Sequence, residues 1–335
     1  MNTYATAVRV GVAGATGYTG VELLRLLARH PAVRVSAAMG APGAQPRHVP
    51  ALKRLWDAPV NGLDLDLLAD ASDAVFLALP DHAAAEVAPP LVARGKRVFD
   101  LSGAFRLRDA AQRRRWYPGT PEAAPPVVYG LTERNRDRLP ASSLVACAGC
   151  YPTAAILALQ PLLQARLLDL EGAPIIIDAK SGVSGAGKTP TERTHFSECH
   201  GSLSAYGVFD HRHAAEIEQE LGAPVTFVPH LLPIDRGILE TIYVRLLPGA
   251  DEAAVGKALH AAYADSPFVR LTGSELPEIK HVAHTNFCDI GWRFHAPTRQ
   301  LVLISCIDNL VKGAAGQAVQ NFNVAFGFDE GLGLQ

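Results

Sequence analysis

The stretch "VRVGVAGATGYTGVELLRLL", residues 8–27, decides how the chain begins. An apolar run to Ala13 reads as a strand. Leu23, Leu24 and Leu27 share one face of a helix that stops before Pro31. Between them stand Gly11, Gly14 and Gly17 at three-residue spacing. Glycines are needed there if a pyrophosphate is to approach the backbone at a helix N-terminus, where free N–H groups and the helix dipole favour an anion. Such spacing alone is common, but between a strand and a helix it predicts a dinucleotide held by Gly11, Gly14, Ala15, Thr16, Gly17 and Tyr18. The next strand, "VRVSAAM" (33–39), ends without the Asp or Glu that holds a free ribose 2′-hydroxyl, so NADP is expected rather than NAD.

Outward from this unit, "AVFLAL" (74–79), "RVFDLSG" (97–103) and "LVACAG" (144–149) are further short buried strands separated by helical stretches. The pattern predicts an α/β fold with a Rossmann-like, doubly wound parallel sheet. After "YPTAAILALQPLLQARLL", a helix with Pro152 at its first position, the strands lengthen and alternate: "APIIIDA" (173–179), "VTFVPH" (225–230), "ILETIYVRLL" (238–247), "FCDIGWRFHA" (287–296) and "QLVLISCID" (300–308). This half is expected to form a second, α+β catalytic domain around an antiparallel sheet with one face covered. The boundaries expected are 1–149 for the dinucleotide domain, 150–308 for the catalytic domain, and a C-terminal helix over 309–335 that rejoins the first, capped by Asp308 or Asn309.

Composition narrows the function classes. The 335 residues carry 31 basic and 33 acidic side chains, a formal net charge of −2, so no broad basic surface invites nucleic acid or anionic lipid. No apolar stretch approaches a membrane span, and the first residues lack a secretory pattern. Five cysteines, odd in number and irregularly spaced, argue for free thiols and a cytoplasmic location.

The chemistry-bearing residues lie in "VACAGCYPTAA" (145–155) and "YGVFDHRHAAEIEQELG" (206–222). Cys147 and Cys150 form a Cys-x-x-Cys, but no second pair completes a zinc site, and no metal is expected. Cys147 sits within the apolar run, where a plain core cysteine belongs; Cys150 stands at the positive end of a helix, which favours thiolate over thiol. Cys150 is therefore the candidate nucleophile. His211 and His213 are its candidate proton partners, with Asp210 as the expected cap and Ala214, Ile217 and Leu221 as the buried stripe. Two residues apart on a helix point about 200° apart, so only one would face the thiol if both were helical. "GVSGAGKT" (182–189) matches a phosphate-binding P-loop letter for letter, but Pro190 and a polar stretch follow where a helix with an apolar face is required. A nucleotide hydrolase is thus disfavoured; a loop closing on substrate or nicotinamide stays open. In "VFDLSGAFRL", Arg106 follows the fourth strand, where a guanidinium can grip phosphate or carboxylate.

Taken together, "GVAGATGYTGVELLRLL", "FDLSGAFRL", "GCYPTAAILAL", "SGVSGAGK", "YGVFDHRHAAEI", "RGILETI" and "DNLVKGAAGQAVQ" resemble the N-acetyl-gamma-glutamyl-phosphate reductases, relatives of aspartate-semialdehyde dehydrogenase. The resemblance runs nearly end to end. It implies an NADPH-dependent reduction of an acyl phosphate to an aldehyde in arginine biosynthesis, through a thioester on Cys150, with His211 or His213 as acid–base. It implies Arg106 on the phosphate, Ser184, Gly185 and Asn309 beside the nicotinamide, a small-molecule substrate and a homo-oligomer. A sister reductase of aspartyl or aminoadipyl phosphate would share almost every feature.

Overall fold

The computed structural model describes residues 7–120 and 126–335. The chain forms two compact units, one ending at Ala148 and completed by Ala314–Gln335, the other spanning Gly149–Gly313.

The first unit is built on six parallel strands: β1 (Val8–Ala13), β2 (Val33–Met39), β3 (Ala74–Leu77), β4 (Arg97–Asp100), β5 (Val127–Gly130) and β6 (Leu144–Cys147). Their order is β2-β1-β3-β4-β6-β5. The doubly wound sheet expected from the strand–helix alternation is what forms. Every residue of β3 and β6 is buried, as befits parallel strands covered on both faces. The order reverses direction at β1, which lies between β2 and β3. A switch point of this kind opens a crevice at the carboxyl end of the strand, and there the glycine turn leads into α1 (Tyr18–Leu27); α2 (Leu65–Ala71) precedes β3 and α3 (Asp81–Ala93) precedes β4. β5, four residues at the sheet edge that follow Pro126, is not among the strands expected from the sequence.

The helix Gly316–Ala325 belongs to this unit. It buries Phe322 against Phe76 and Phe99, with ring centroids 5.7 and 5.8 Å apart. Full burial of one such ring contributes about 1.5–3 kcal/mol. Its buried amides are satisfied: Asn321 donates to the Gly130 carbonyl and accepts from Thr132 Oγ1, and Asn323 Oδ1 meets His30 Nε2 at 2.9 Å. The helix is shorter than the expected 309–335. Val311–Ala315 is a π-helical turn, and the α-helix ends at Ala325. The N-cap of the α-helix is Ala315, with no side-chain bond, in place of the expected Asp308 or Asn309; Asp308 Oδ1 instead accepts the Leu310 and Val311 amides, at 2.8 and 3.0 Å, at the start of the π-turn.

The second unit has a seven-stranded sheet of β7 (Ile175–Gly182), β8 (Ser204–Ala205), β9 (Val225–Leu232), β10 (Ile238–Arg245), β11 (Val269–Gly273), β12 (Cys288–His295) and β13 (Gln300–Ile307). The order is β11-β12-β13-β10-β7-β9-β8. The expected antiparallel sheet is in fact mixed. β10 runs antiparallel to β7 and β13, but β7 pairs with β9, and β11 with β12, in parallel. Each parallel pair is joined by a crossover long enough to return the chain to the same end. Period-two burial is clear in β7 and β10, where Ile175, Ile177, Ala179, Ile238, Ile242 and Val244 turn inwards. The long helix Cys150–Gln164 lies over β10 and β13, and its run "AAILAL" is buried all round.

Candidate active site

In the first unit the glycines do different jobs. Gly11 lies inside β1, where a Cβ would stand 2.5 Å from Ser72 Oγ; it is a packing glycine. Gly14 has φ +83°, and a methyl there would collide with the Ala78 carbonyl oxygen. The amides of Gly14 and Ala15 are engaged by the Met39 carbonyl at 2.8 and 2.9 Å, which ties the turn to the end of β2. Gly17 caps α1 without a side-chain bond, and the first turn carries no acidic residue. The amides that open α1, those of Tyr18 and Thr19, thus form an electropositive cradle suited to a pyrophosphate. Gly20, not singled out from the sequence, lets α1 close on the turn: a Cβ there would overlap the Gly14 carbonyl. β2 ends at Met39 with no carboxylate, so the residues present fit NADP.

Arg106 is buried. Its Nε and Nη2 donate to the carbonyls of Cys147 and Leu101, both at 2.8 Å, so at least two of its donors brace the ends of β6 and β4. Beside it, burial lifts the Asp100 carboxyl to about 6, against the hydrogen bonds from Ser102 and the charge of Arg106. Cys147 closes β6 and is 1% exposed; burial, reinforced by Asp100, pushes its thiol up to about 12. That is an inert thiol.

In the second unit Cys150 is the first residue of α4 (Cys150–Gln164). The helix begins two residues before the expected Pro152. The first turn needs no intrahelical N–H acceptors, so proline is tolerated at its third position as well as its first. Cys150 is half-buried and lines a cavity of about 860 Å³ together with Tyr151, Tyr206, His211, His213 and Gly185. Cys199 also lines it, from a four-residue helix.

Both histidines reach this cavity, because the condition under which helical spacing would separate them, both being helical, is not met. The reason is local. The helix α5 runs from Arg212 to Leu221, and His211 is its N-cap with extended backbone, in place of Asp210. His211 Nδ1 accepts the His213 amide at 3.1 Å, so the proton of the neutral ring sits on Nε2. Burial, and then the charge of Arg212, lower His211 to about 4. His213 is 7% exposed, and its ring stands 4.9 Å from that of His211. Tyr151 presents its edge or face to both, at 5.9 and 5.8 Å, and its hydroxyl lies 3.2 Å from that of Tyr206. The buried stripe of α5 is His213, Glu216, Ile217 and Glu220, more polar than the predicted one.

The P-loop look-alike is no P-loop. Val183–Ala186 makes a single 3-10 turn, Gly187 has φ +83°, and no helix opens at Lys188, which is exposed. Asn309 Nδ2 donates to Ser184 Oγ at 2.9 Å, and its Oδ1 accepts the Gly237 amide at 2.7 Å. Ser184, Gly185 and Asn309 are thus brought together, with Gly185 on the cavity wall.

The fold is that of the semialdehyde dehydrogenase class. The family described as semialdehyde dehydrogenase, NAD binding domain, matches residues 9–142, and the semialdehyde dehydrogenase dimerisation domain matches residues 150–309. Aspartate semialdehyde dehydrogenase II from Vibrio cholerae has the same fold, with a TM-score of 0.71 at 16% identity over 96% of this chain and 99% of that one. So does aspartate semialdehyde dehydrogenase with NADP from Candida albicans, with a TM-score of 0.66 at 15% identity over 95% and 98%. The sequence is 46% identical to the N-acetyl-gamma-glutamyl-phosphate reductases of Desulforudis audaxviator and Geobacter metallireducens, covering 98% of each chain in both comparisons. The chain belongs to the N-acetyl-gamma-glutamyl-phosphate reductase family.

Proposed function

We propose that this protein reduces N-acetyl-gamma-glutamyl phosphate to N-acetyl-glutamate 5-semialdehyde in arginine biosynthesis, releasing inorganic phosphate. The observation that carries the reading is Cys150 on the first turn of α4, opening into one cavity with His211 and His213, in a chain 46% identical end to end to reductases of that name. The helix terminus favours the thiolate. Cys150 Sγ attacks the acyl carbon and the carbon–oxygen bond to phosphate breaks, leaving a thioester. Bound NADPH would supply hydride chemistry here, and addition of hydride to the thioester carbon leaves a hemithioacetal on Cys150. His213 carries the proton to and from the hemithioacetal oxygen, while His211 donates a hydrogen bond from Nε2. This division is supported by the N-cap bond that occupies His211 Nδ1. Collapse of the hemithioacetal expels the thiolate and frees the aldehyde.

The glycine turn before α1 and the first-turn amides would hold the pyrophosphate, and Ser184, Gly185 and Asn309 would lie at the nicotinamide. Arg106 is the proposed phosphate ligand; its guanidinium is already oriented by two carbonyls. The dimerisation-domain match supports a homo-oligomer, and five free thiols support a cytoplasmic home. The decisive experiment follows NADP reduction with N-acetylglutamate semialdehyde and phosphate, in parallel with aspartate semialdehyde. Turnover of the acetylated substrate that disappears in Cys150→Ser is expected; preference for the aspartate compound would overturn the substrate assignment.

A further inference from the structure

The chemistry above leaves one cation on the cavity wall unused. Thr191, Arg193 and Thr194 line that wall. Arg193 sits in the single 3-10 turn Glu192–Thr194, which Thr191 caps. The turn is locked from both sides: Thr191 Oγ1 accepts the Thr194 amide at 3.3 Å, and Thr194 Oγ1 accepts the Thr191 amide at 2.9 Å. Such a reciprocal box fixes the backbone that carries Arg193.

The Arg193 guanidinium stands over the Tyr206 ring, 5.5 Å from its centroid. A guanidinium placed so turns its face to the ring and keeps its in-plane N–H fork for a carboxylate or phosphate. Glu192 and Glu198 line the same cavity, but among the described residues neither forms an ion pair with Arg193. Arg212 lines the cavity too, and its charge bears on His211. At the Tyr206 hydroxyl, which burial pushes up, the charges of both Arg193 and Arg212 oppose that push. Arg212 thus serves the acid–base end of the cavity, and Arg193 the tyrosine end.

The proposed substrate carries a second anion, an α-carboxylate at the opposite end of its chain from the acyl phosphate. We propose that Arg193 is a specificity-determining residue that grips this α-carboxylate while the acyl carbon lies at Cys150. The proposal rests on the reading of the substrate given above. A charge-assisted grip of this kind changes binding about 10–100-fold, and an interaction made equally before and during reaction appears in KM rather than kcat.

The test follows phosphate-dependent NADP reduction by the unaltered protein, Arg193→Ala and Arg193→Lys, with folding checked by circular dichroism. Two aldehydes are compared: N-acetylglutamate semialdehyde, and 4-acetamidobutanal, the same molecule with hydrogen in place of the carboxylate. Arg193→Ala should raise KM for the first about 10–100-fold, with kcat within about threefold and KM for phosphate within about twofold. Its KM for 4-acetamidobutanal should stay within about twofold of the unaltered protein's; where that aldehyde turns over too slowly, its inhibition constant takes the place of KM. Arg193→Lys, which keeps the charge but not the fork, should fall between the two. An unchanged KM for N-acetylglutamate semialdehyde in folded Arg193→Ala, an equal rise for both aldehydes, or a rise confined to phosphate overturns the proposal. Aspartate semialdehyde is run in parallel. Preference of the unaltered protein for it defeats the substrate reading, and Arg193→Ala then decides the proposal on that aldehyde: a raised KM supports it and an unchanged one overturns it.

Discussion

His211 is expected to remain neutral far below the pH at which an ordinary histidine charges. Its Nδ1 is the acceptor of an N-cap bond, so a second proton on the ring must break that bond in a buried setting beside Arg212. The folded value is about 4, against 6.5 for an unperturbed ring, with burial the larger cause and Arg212 the smaller. Between those two pH values the unfolded chain binds a proton that the folded protein refuses. Stability from this group is therefore fully present above about pH 6.5, falls as the pH drops towards 4, and levels off below. The whole depression is worth about 3 kcal/mol at most, and less where water reaches the ring. Arg212→Gln removes the smaller cause and should raise the midpoint by about one unit or less, leaving most of the depression in place. Proton and nitrogen NMR titration of the His211 ring, assigned by difference with His211→Gln, reads both the midpoint and the tautomer. A midpoint near 6.5 in the unaltered protein, a proton on Nδ1, or no rise in Arg212→Gln would refute the reasoning.

Other outcomes follow from single contacts. Gly14→Ala places a side chain at φ +83° and drives its methyl into the Ala78 carbonyl, so NADPH affinity measured by fluorescence titration should fall at least about tenfold, with about 2 kcal/mol or more of stability lost in urea. Cys147→Ser should keep most of its activity, because the Cys147 thiol is pushed up to about 12, whereas Cys150→Ser should have none; mass spectrometry after brief iodoacetamide treatment near neutral pH should find Cys150 labelled and Cys147 unmodified. Asp308→Ala strips the acceptor from the amides of His284, Leu310 and Val311, and urea unfolding should show a loss of about 3 kcal/mol or more.

Much of this was legible without coordinates where a residue's meaning depends on its near neighbours. The glycine turn announces itself because only glycine accepts the backbone angles and close approaches required at Gly14. The alternation in "ILETIYVR" predicts a one-sided strand, and β10 buries alternate residues as expected. Pro190 and the polar stretch after it unmake the P-loop reading. The errors arose where local rules leave a choice. Pro152 is compatible with the first or the third helical position, and the helix takes the latter. The two-residue spacing of His211 and His213 separates them only if both are helical, and His211 is a cap.

By itself, then, the sequence determined the parallel sheet, the glycine turn and the placing of Cys147 in a buried strand and Cys150 near a helix start, because short-range sterics, periodicity and helix polarity act between residues a few positions apart. Only the tertiary structure decided which groups surround that sulfur. Gly149 and Glu216 are 67 residues apart, and Cys150 and Gly313 are further apart still; packing alone brings them together, and no local pattern records it.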